Sequence, residues 1–306
     1  MKDKKLNNLI TQLALPDDFI NYIPQYFEPI AANIHQLTQQ GDTPVIGING
    51  TQGSGKSTAA VILQLLLEIK YAHRVVVLSI DDFYHSKIKR SELAQTIHPL
   101  FITRGVPGTH DVDLAIKTIT SLKDSSKEQE TLIPRFDKAA DDRKPEAQWE
   151  LFKGPASVII FEGWCVGATA VDSSHLIEPI NDLERSYDSK GIWRRSVNNF
   201  LAKQYQQLFS QINWLLMLKA PSFEQVYEWR LLQEQKLTET LAITSDTELK
   251  STPIELLSEV QLQRFIQHYQ RITEHCLVQI PVLADAIIHL NKKHKMINLK
   301  FNLNND

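Results

Sequence analysis

The amino-acid sequence predicts an α/β fold: a five-stranded parallel sheet core with helices on both faces. Two observations predict it. Five short apolar runs alternate with segments of helical pattern, and the first run enters a glycine-rich loop that opens a helix. Strands that alternate with helices build parallel sheets, and such sheets are buried on both sides.

The elements follow in order. Residues 17–40 carry Phe19, Ile20, Ile23, Phe27, Ile30, Ile34 and Leu37 near helical spacing, and Gly41 to Pro44 end that pattern. Residues 45–49 form the first apolar run. Residues 58–68 read as the helix after the loop, and 73–80, rich in β-branched residues, as the second strand. Residues 84–112 read as polar and irregular, 112–123 as helix, and 123–130 as a solvated charged stretch. The third strand is expected at 157–162, mostly helix at 176–209 and the fourth strand at 212–218. A charged helix at 222–237, a polar mobile loop at 238–252, a helix at 253–278 and a last strand at 285–290 complete the pattern. No internal repeat or long biased linker divides the chain. The expectation is one domain over 1–306: an N-terminal helical extension (1–43), a binding core (44–290) and a C-terminal tail (291–306).

The loop is Gly50-Thr51-Gln52-Gly53-Ser54-Gly55-Lys56-Ser57, a complete G-x-x-x-x-G-K-[ST] phosphate-binding loop, or P-loop. Its glycines let backbone N–H groups curl around an anion. Lys56 places a charge on the β- and γ-phosphates, and the Ser57 hydroxyl suits Mg²⁺. The following helix, opening at Thr58, aims its N-terminus at the phosphates. The motif and its strand–loop–helix setting specify a P-loop NTPase fold.

Composition excludes several classes. The chain has 306 residues, 42% hydrophobic and 23% charged, with a net charge of −3. This is ordinary globular composition and not that of a nucleic-acid binder. No apolar run approaches the roughly 20 residues that cross a bilayer, so no membrane partner is expected. Cys165 and Cys276 have no metal-type spacing, and a reduced cytoplasmic setting is the expectation.

Ligands of open α/β sheets gather at the carboxyl ends of the strands. The P-loop, the pair Asp81–Asp82 and Glu162 all stand at such ends. Phosphoryl transfer needs a phosphate cradle, a metal and a group that orients the attacking hydroxyl. Neighbours on a strand point to opposite faces, so one of Asp81 and Asp82 is expected in the site, the alternative being a turn cap. Glu162 after four apolar residues suits a Mg²⁺ carboxylate or a core ion pair. Arg104, Arg135, Lys138 and Arg143, between the second and third strands, offer cations for an anionic substrate. Asp111 reads as a helix N-cap. His110 beside Asp111 and Asp113 suggests a metal site, but adjacent residues rarely present together to one ion, so none is expected there. Arg230 reads either as a lid residue over the phosphates or as an exposed partner of Glu234.

Taken in order, the P-loop, Ser79-Ile80-Asp81-Asp82-Phe83-Tyr84, Arg104-Gly105-Val106-Pro107-Gly108-Thr109-His110-Asp111, Phe136-Asp137-Lys138 and Phe161-Glu162-Gly163-Trp164 resemble the D-glycerate 3-kinases of the plant and fungal type. Those belong to the wider phosphoribulokinase, uridine kinase and pantothenate kinase group. Segments 229–234 and 269–271 are similar to the family's C-terminal segments. The resemblance implies an ATP- and Mg²⁺-dependent kinase that phosphorylates a small hydroxy acid. It implies Asp81, three residues before Tyr84, as the base, and residues 104–111, including His110 and Asp111, as the lining of the acceptor pocket. Residues 181–206 are long, charged and without a close counterpart in the plant enzymes. A nucleoside, pantothenate or another hydroxy acid are the rival acceptors, and a non-catalytic ATP-binding regulator is the rival class.

Overall fold

The computed structural model describes residues 2–124, 126, 130–232 and 259–302. In chain order the helices and strands are α1 (Lys2–Gln12), α2 (Glu28–Thr38), β1 (Val45–Gly50), α3 (Lys56–Tyr71), β2 (Val75–Ser79), α4 (Lys87–Thr96) and α5 (Val112–Lys123). Four short strands follow, β3 (Glu130–Ile133), β4 (Phe136–Asp137), β5 (Asp142–Arg143) and β6 (Glu150–Lys153), then β7 (Val158–Gly163). The remainder is α6 (Asp182–Tyr187), α7 (Ile192–Phe200), α8 (Gln206–Phe209), β8 (Trp214–Lys219), α9 (223–232), α10 (Glu259–Leu283), β9 (Ala286–Leu290) and β10 (Met296–Phe301).

The central sheet runs β10-β9-β8-β1-β7-β2, with β1 pairing in parallel with both β7 and β8. The first strand therefore lies inside the sheet, as the P-loop requires. Successive residues of β7 face opposite sides: Ile159 and Phe161 enter one core, Val158 and Ile160 the other. The first core packs α5, α7, α8 and α10. The second packs α1, α2, α3 and α9. The helices thus cover both faces.

The five expected parallel strands are present, and the structure adds a sixth. The expected tail contains β10, antiparallel to β9. Its half-exposed edge position leaves only a short alternating pattern, and Asn291 turns the chain into it by accepting from the N–H groups of Lys293 and Lys295. The N-terminal layer is also less regular than one helix. It begins with α1 and passes through a 3₁₀ turn (Asp17–Asn21) and a π-type turn (Ile23–Phe27) before α2, with Pro24 and Pro29 at the joints. Residues 87–96, expected to be irregular, form α4, capped by Ser86. Its few apolar residues gave no helical stripe. The expected loop at 238–252 lies outside the described residues, as do 233–237 and 253–258 of the flanking helices. No helix among the described residues is long and apolar enough to cross a membrane.

Residues 181–206 have a structural reason for their charge. Asp188, fully buried, caps α7 by accepting from the N–H groups of Trp193 at 2.8 Å and Arg194 at 3.1 Å. It also pairs with the buried Arg194 guanidinium at 3.1 Å, whose other donors go to the carbonyls of Leu176 and Ile177. Arg271 of α10 holds Glu184 of α6 in the same manner. Removing one member of such a pair leaves an uncompensated buried charge. Asp188→Ala is therefore expected to lower stability by about 3–5 kcal/mol. Urea unfolding checks this, and an unchanged midpoint would contradict it.

Candidate active site

The cleft starts at the end of β1. Gly53 and Gly55 have φ of +76° and +92°, the left-handed region that glycine enters freely. A Cβ on Gly50 would stand 2.6 Å from Ser54 Oγ, so the loop closes tightly only around glycine. The hydroxyls of Thr51 and Ser54 are buried and have no hydrogen-bond partner among the described residues. Lys56 curls back over the loop, its Nζ donating to the Thr51 carbonyl at 3.0 Å. Burial lowers its pKa, and the carboxylates of Glu162 and Asp81 partly offset this. Thr58 sits in the first turn of α3 behind the loop.

The neighbouring strand supplies Glu162. It is 5% exposed, and its Oε1 accepts from Ser57 Oγ at 2.9 Å. A carboxylate and a hydroxyl side by side are two hard oxygen donors next to a phosphate cradle. Mg²⁺ is held this way by one or two protein oxygens, with phosphates and water completing the shell. Among the described residues no group of three or more His, Cys, Asp and Glu gathers as a self-sufficient metal cage. The donor set therefore fits a metal that arrives with a nucleotide.

After β2 the chain makes a 3₁₀ turn, Ile80–Phe83, that separates the two aspartates. Asp82 faces the β4–β5 hairpin. Its Oδ1 accepts from Phe136 N at 3.1 Å and its Oδ2 pairs with Arg135 at 3.1 Å. Asp81 faces the cleft. Its Oδ1 accepts from the Tyr84 hydroxyl at 3.0 Å and its Oδ2 from Lys138 Nζ at 2.7 Å. Burial alone would raise the Asp81 pKa, but the Lys138 ammonium outweighs it and holds the carboxyl below its ordinary value. Asp82 has no such surplus, and burial raises it despite Phe136 N–H and Arg135. Burial and the adjacent Asp81 push Tyr84 well above the phenol range, so it remains a donor.

The segment 104–111 divides into two layers. Arg104 lines the cleft, pairs with Asp141 and stacks over the Phe136 ring at 5.5 Å. Its carbonyl accepts from the Tyr269 hydroxyl at 3.1 Å. Gly105, at φ +140°, lets Tyr269 approach so closely that a Cβ would lie 2.2 Å from its hydroxyl oxygen. His110 does not line the cleft. It is 3% exposed, stacks behind Tyr84 at 4.4 Å and meets the Tyr205 hydroxyl at 2.6 Å. Burial pushes its pKa down to about 3, so it is neutral. Asp111 caps α5, as its spacing predicts, accepting from Leu114 N at 3.1 Å, and also pairs with Arg143. His110 and Asp111, expected in the acceptor lining, therefore stand behind it, and Arg143 is committed to Asp111.

The resulting cleft encloses about 730 Å³. Its wall carries the P-loop residues Gln52, Gly53, Lys56 and Ser57 and the cations Arg104, Arg135 and Lys138. Asp81, Asp82, Tyr84 and Glu162 line it too, Glu162 beside Ser57 and Asp81 beside Lys138, with Arg230 of α9 and Phe265 and Tyr269 of α10 also on the wall. Glu234, the alternative partner of Arg230, lies outside the described residues. Phe265 and Asp141 escaped the sequence reading. Phe265 is one apolar residue of a helical stripe and gives no sign of facing a cleft. Asp141 sits in a polar run, and its shared guanidinium contacts arise only from tertiary folding.

The chain's resemblances agree with this arrangement. A family model described as Phosphoribulokinase / Uridine kinase family matches residues 45–183. The uncharacterized kinase mug58 of Schizosaccharomyces pombe is 34% identical over 242 residues, which cover 76% of this chain and 81% of that protein. The chloroplastic D-glycerate 3-kinase of Arabidopsis thaliana is 30% identical over 234 residues, covering 70% of this chain and 47% of that protein. Among solved structures, a D-glycerate 3-kinase from Cryptococcus neoformans superposes with a TM-score of 0.70 at 23% identity, covering 89% of this chain and 96% of that one, a likeness of fold. A P-loop on the central strand, a carboxylate beside its serine and extensive likeness to a kinase converge on one conclusion: the chain belongs to the phosphoribulokinase/uridine kinase family of P-loop kinases.

Proposed function

We propose that the protein transfers the γ-phosphoryl group of ATP to a hydroxyl of a small hydroxy acid, with D-glycerate as acceptor and 3-phosphoglycerate as product, and that residues 1–306 act as one kinase domain. The observation that carries the reading is the division between the aspartates. Both line the cleft, but Asp82 is engaged by the hairpin, whereas Asp81 pairs with Lys138 and lies in the field of Lys56. The 30% identity to the Arabidopsis enzyme supports the acceptor.

The roles follow from position. The P-loop backbone and Lys56 bind the β- and γ-phosphates and neutralise charge as it moves to the leaving oxygen. Ser57 and Glu162 would hold Mg²⁺, which screens the phosphate oxygens. Asp81 orients the acceptor hydroxyl and takes its proton. Tyr84 and Lys138 fix both carboxylate oxygens, so the base is aimed before substrate arrives. Arg230 stands on the cleft wall as a cation for the nucleotide phosphates.

The acceptor is tested by ADP release across D-glycerate, other hydroxy acids, pantothenate and uridine. Turnover is expected with D-glycerate, and turnover with another acceptor alone would discard the glycerate reading. Asp81→Asn is expected to lower kcat by about 10²–10⁴-fold while ATP binding is retained. Full turnover by that variant would refute the base assignment. The pH profile tests Lys138. Its ammonium depresses the Asp81 pKa, so the carboxylate persists below the ordinary carboxylate range. In Lys138→Met that charge is gone, burial prevails and the Asp81 pKa rises. The acid limb of kcat/KM is then expected at higher pH, and an unmoved limb would contradict the coupling.

A further inference from the structure

The cations at the acceptor end are not evenly neutralised. Arg135 spreads over two carboxylates, Asp82 and Glu150. Arg143 faces Asp111, and Lys138 faces Asp81. Asp141, by contrast, serves two guanidiniums at once. Its Oδ2 pairs with Arg90 at 2.9 Å and its Oδ1 with Arg104. One carboxylate against two permanent cations leaves this trio one positive charge, as Arg135 between its two carboxylates is left with one negative.

The two arginines are placed differently. Arg90, on α4, is 1% exposed and lies outside the cleft lining. Its guanidinium also donates to the carbonyls of His85 at 3.3 Å, Ile102 at 2.9 Å and Asp141 at 2.5 Å, so its donors are turned inward. Arg104 lines the cleft, and a quarter of its side chain is exposed. The surplus charge therefore faces the cleft at Arg104. A second, independent observation concerns the backbone. Asp141 holds φ at +53°, a left-handed conformation uncommon for a residue with a side chain. Such a conformation persists when its surroundings over-determine it. Here the Arg90 guanidinium grips both the carbonyl and the carboxylate of Asp141.

We propose that Arg104 is the group that binds the carboxylate of the acceptor, and that Arg90 is a positioning residue that holds it in place through the shared Asp141. The inference rests on the kinase reading and deepens it: the cleft selects an acceptor with a carboxylate near its reacting hydroxyl. A planar guanidinium matches a carboxylate through two parallel hydrogen bonds, whereas a neutral polyol offers no such partner. Phe136 beneath the guanidinium keeps it flat, and the Tyr269 hydroxyl ties down its backbone.

The test compares acceptors that differ in this group: D-glycerate, its uncharged counterpart glycerol, and uridine, each assayed by ADP release with wild type, Arg104→Met and Arg90→Lys. In wild type D-glycerate is expected to be preferred. Arg104→Met should raise KM for D-glycerate about 100-fold, leave KM for ATP within about 3-fold and reduce the preference over glycerol by the same factor. Arg90→Lys keeps the buried charge but not the fork. It should raise KM for D-glycerate about 10-fold with kcat near wild type, and its thermal melt shows whether the fold is retained. If Arg104→Met leaves KM for D-glycerate unchanged, the assignment is overturned while the kinase reading stands. If uridine is the best substrate of the wild type, carboxylate selection is overturned. No turnover with any acceptor overturns both. Equal loss of ATP and D-glycerate affinity in Arg90→Lys would assign Arg90 a general structural role and overturn its positioning role.

Discussion

The cleft depends on the parallel pairing of β1, β7 and β2. Glu162 stands opposite Ile48 on one side and Ser79 on the other. Three chain segments far apart in sequence therefore leave the sheet at nearly the same height. The P-loop continues one of them, and the turn that carries Asp81 continues another. A one-residue slip would move every side chain of β1 and β7 from one buried core into the other, so packing on both faces fixes the register. Glu162, the P-loop and Asp81 are thus held level by the backbone, before any side chain contributes.

This explains which parts of the site were legible in the sequence. The P-loop is a local object with fixed spacing, and Glu162 is a charge in an otherwise apolar strand. Both signals survive without knowledge of the fold. The different surroundings of Asp81 and Asp82 were not legible from the residues alone, because Phe136 and Arg135, which engage Asp82, lie more than fifty positions away. His110 and Asp111 lie in a distinctive string, but these two support Tyr84 from behind and cap α5. β10 was hidden because a half-exposed edge strand needs few apolar residues. α4 was hidden because it buries a guanidinium more completely than it buries any apolar stripe.

Electrostatics at the cleft are a matter of allotment. Most charged side chains around it have a named opposite, and the exceptions set its chemistry. Burial would make Asp81 a poor carboxylate and Lys56 a weaker cation. Each is partly restored by the other, and Lys138 tips the balance toward an ionised Asp81. A nucleotide's phosphates entering near Lys56 and an anion near Arg104 would meet this pre-arranged field without side chains having to reorganise.

The closeness of Gly105 to Tyr269 has an evolutionary consequence. The backbone of the 104–111 loop and the side chain of α10 share one volume, with no room for a methyl group between them. Neither position is free to drift alone. A bulkier residue at 105 would need both a smaller side chain at 269 and a backbone turned away from φ +140°, so descendants of this chain should keep glycine there. A contact between segments 164 residues apart in sequence then rests on one missing side chain.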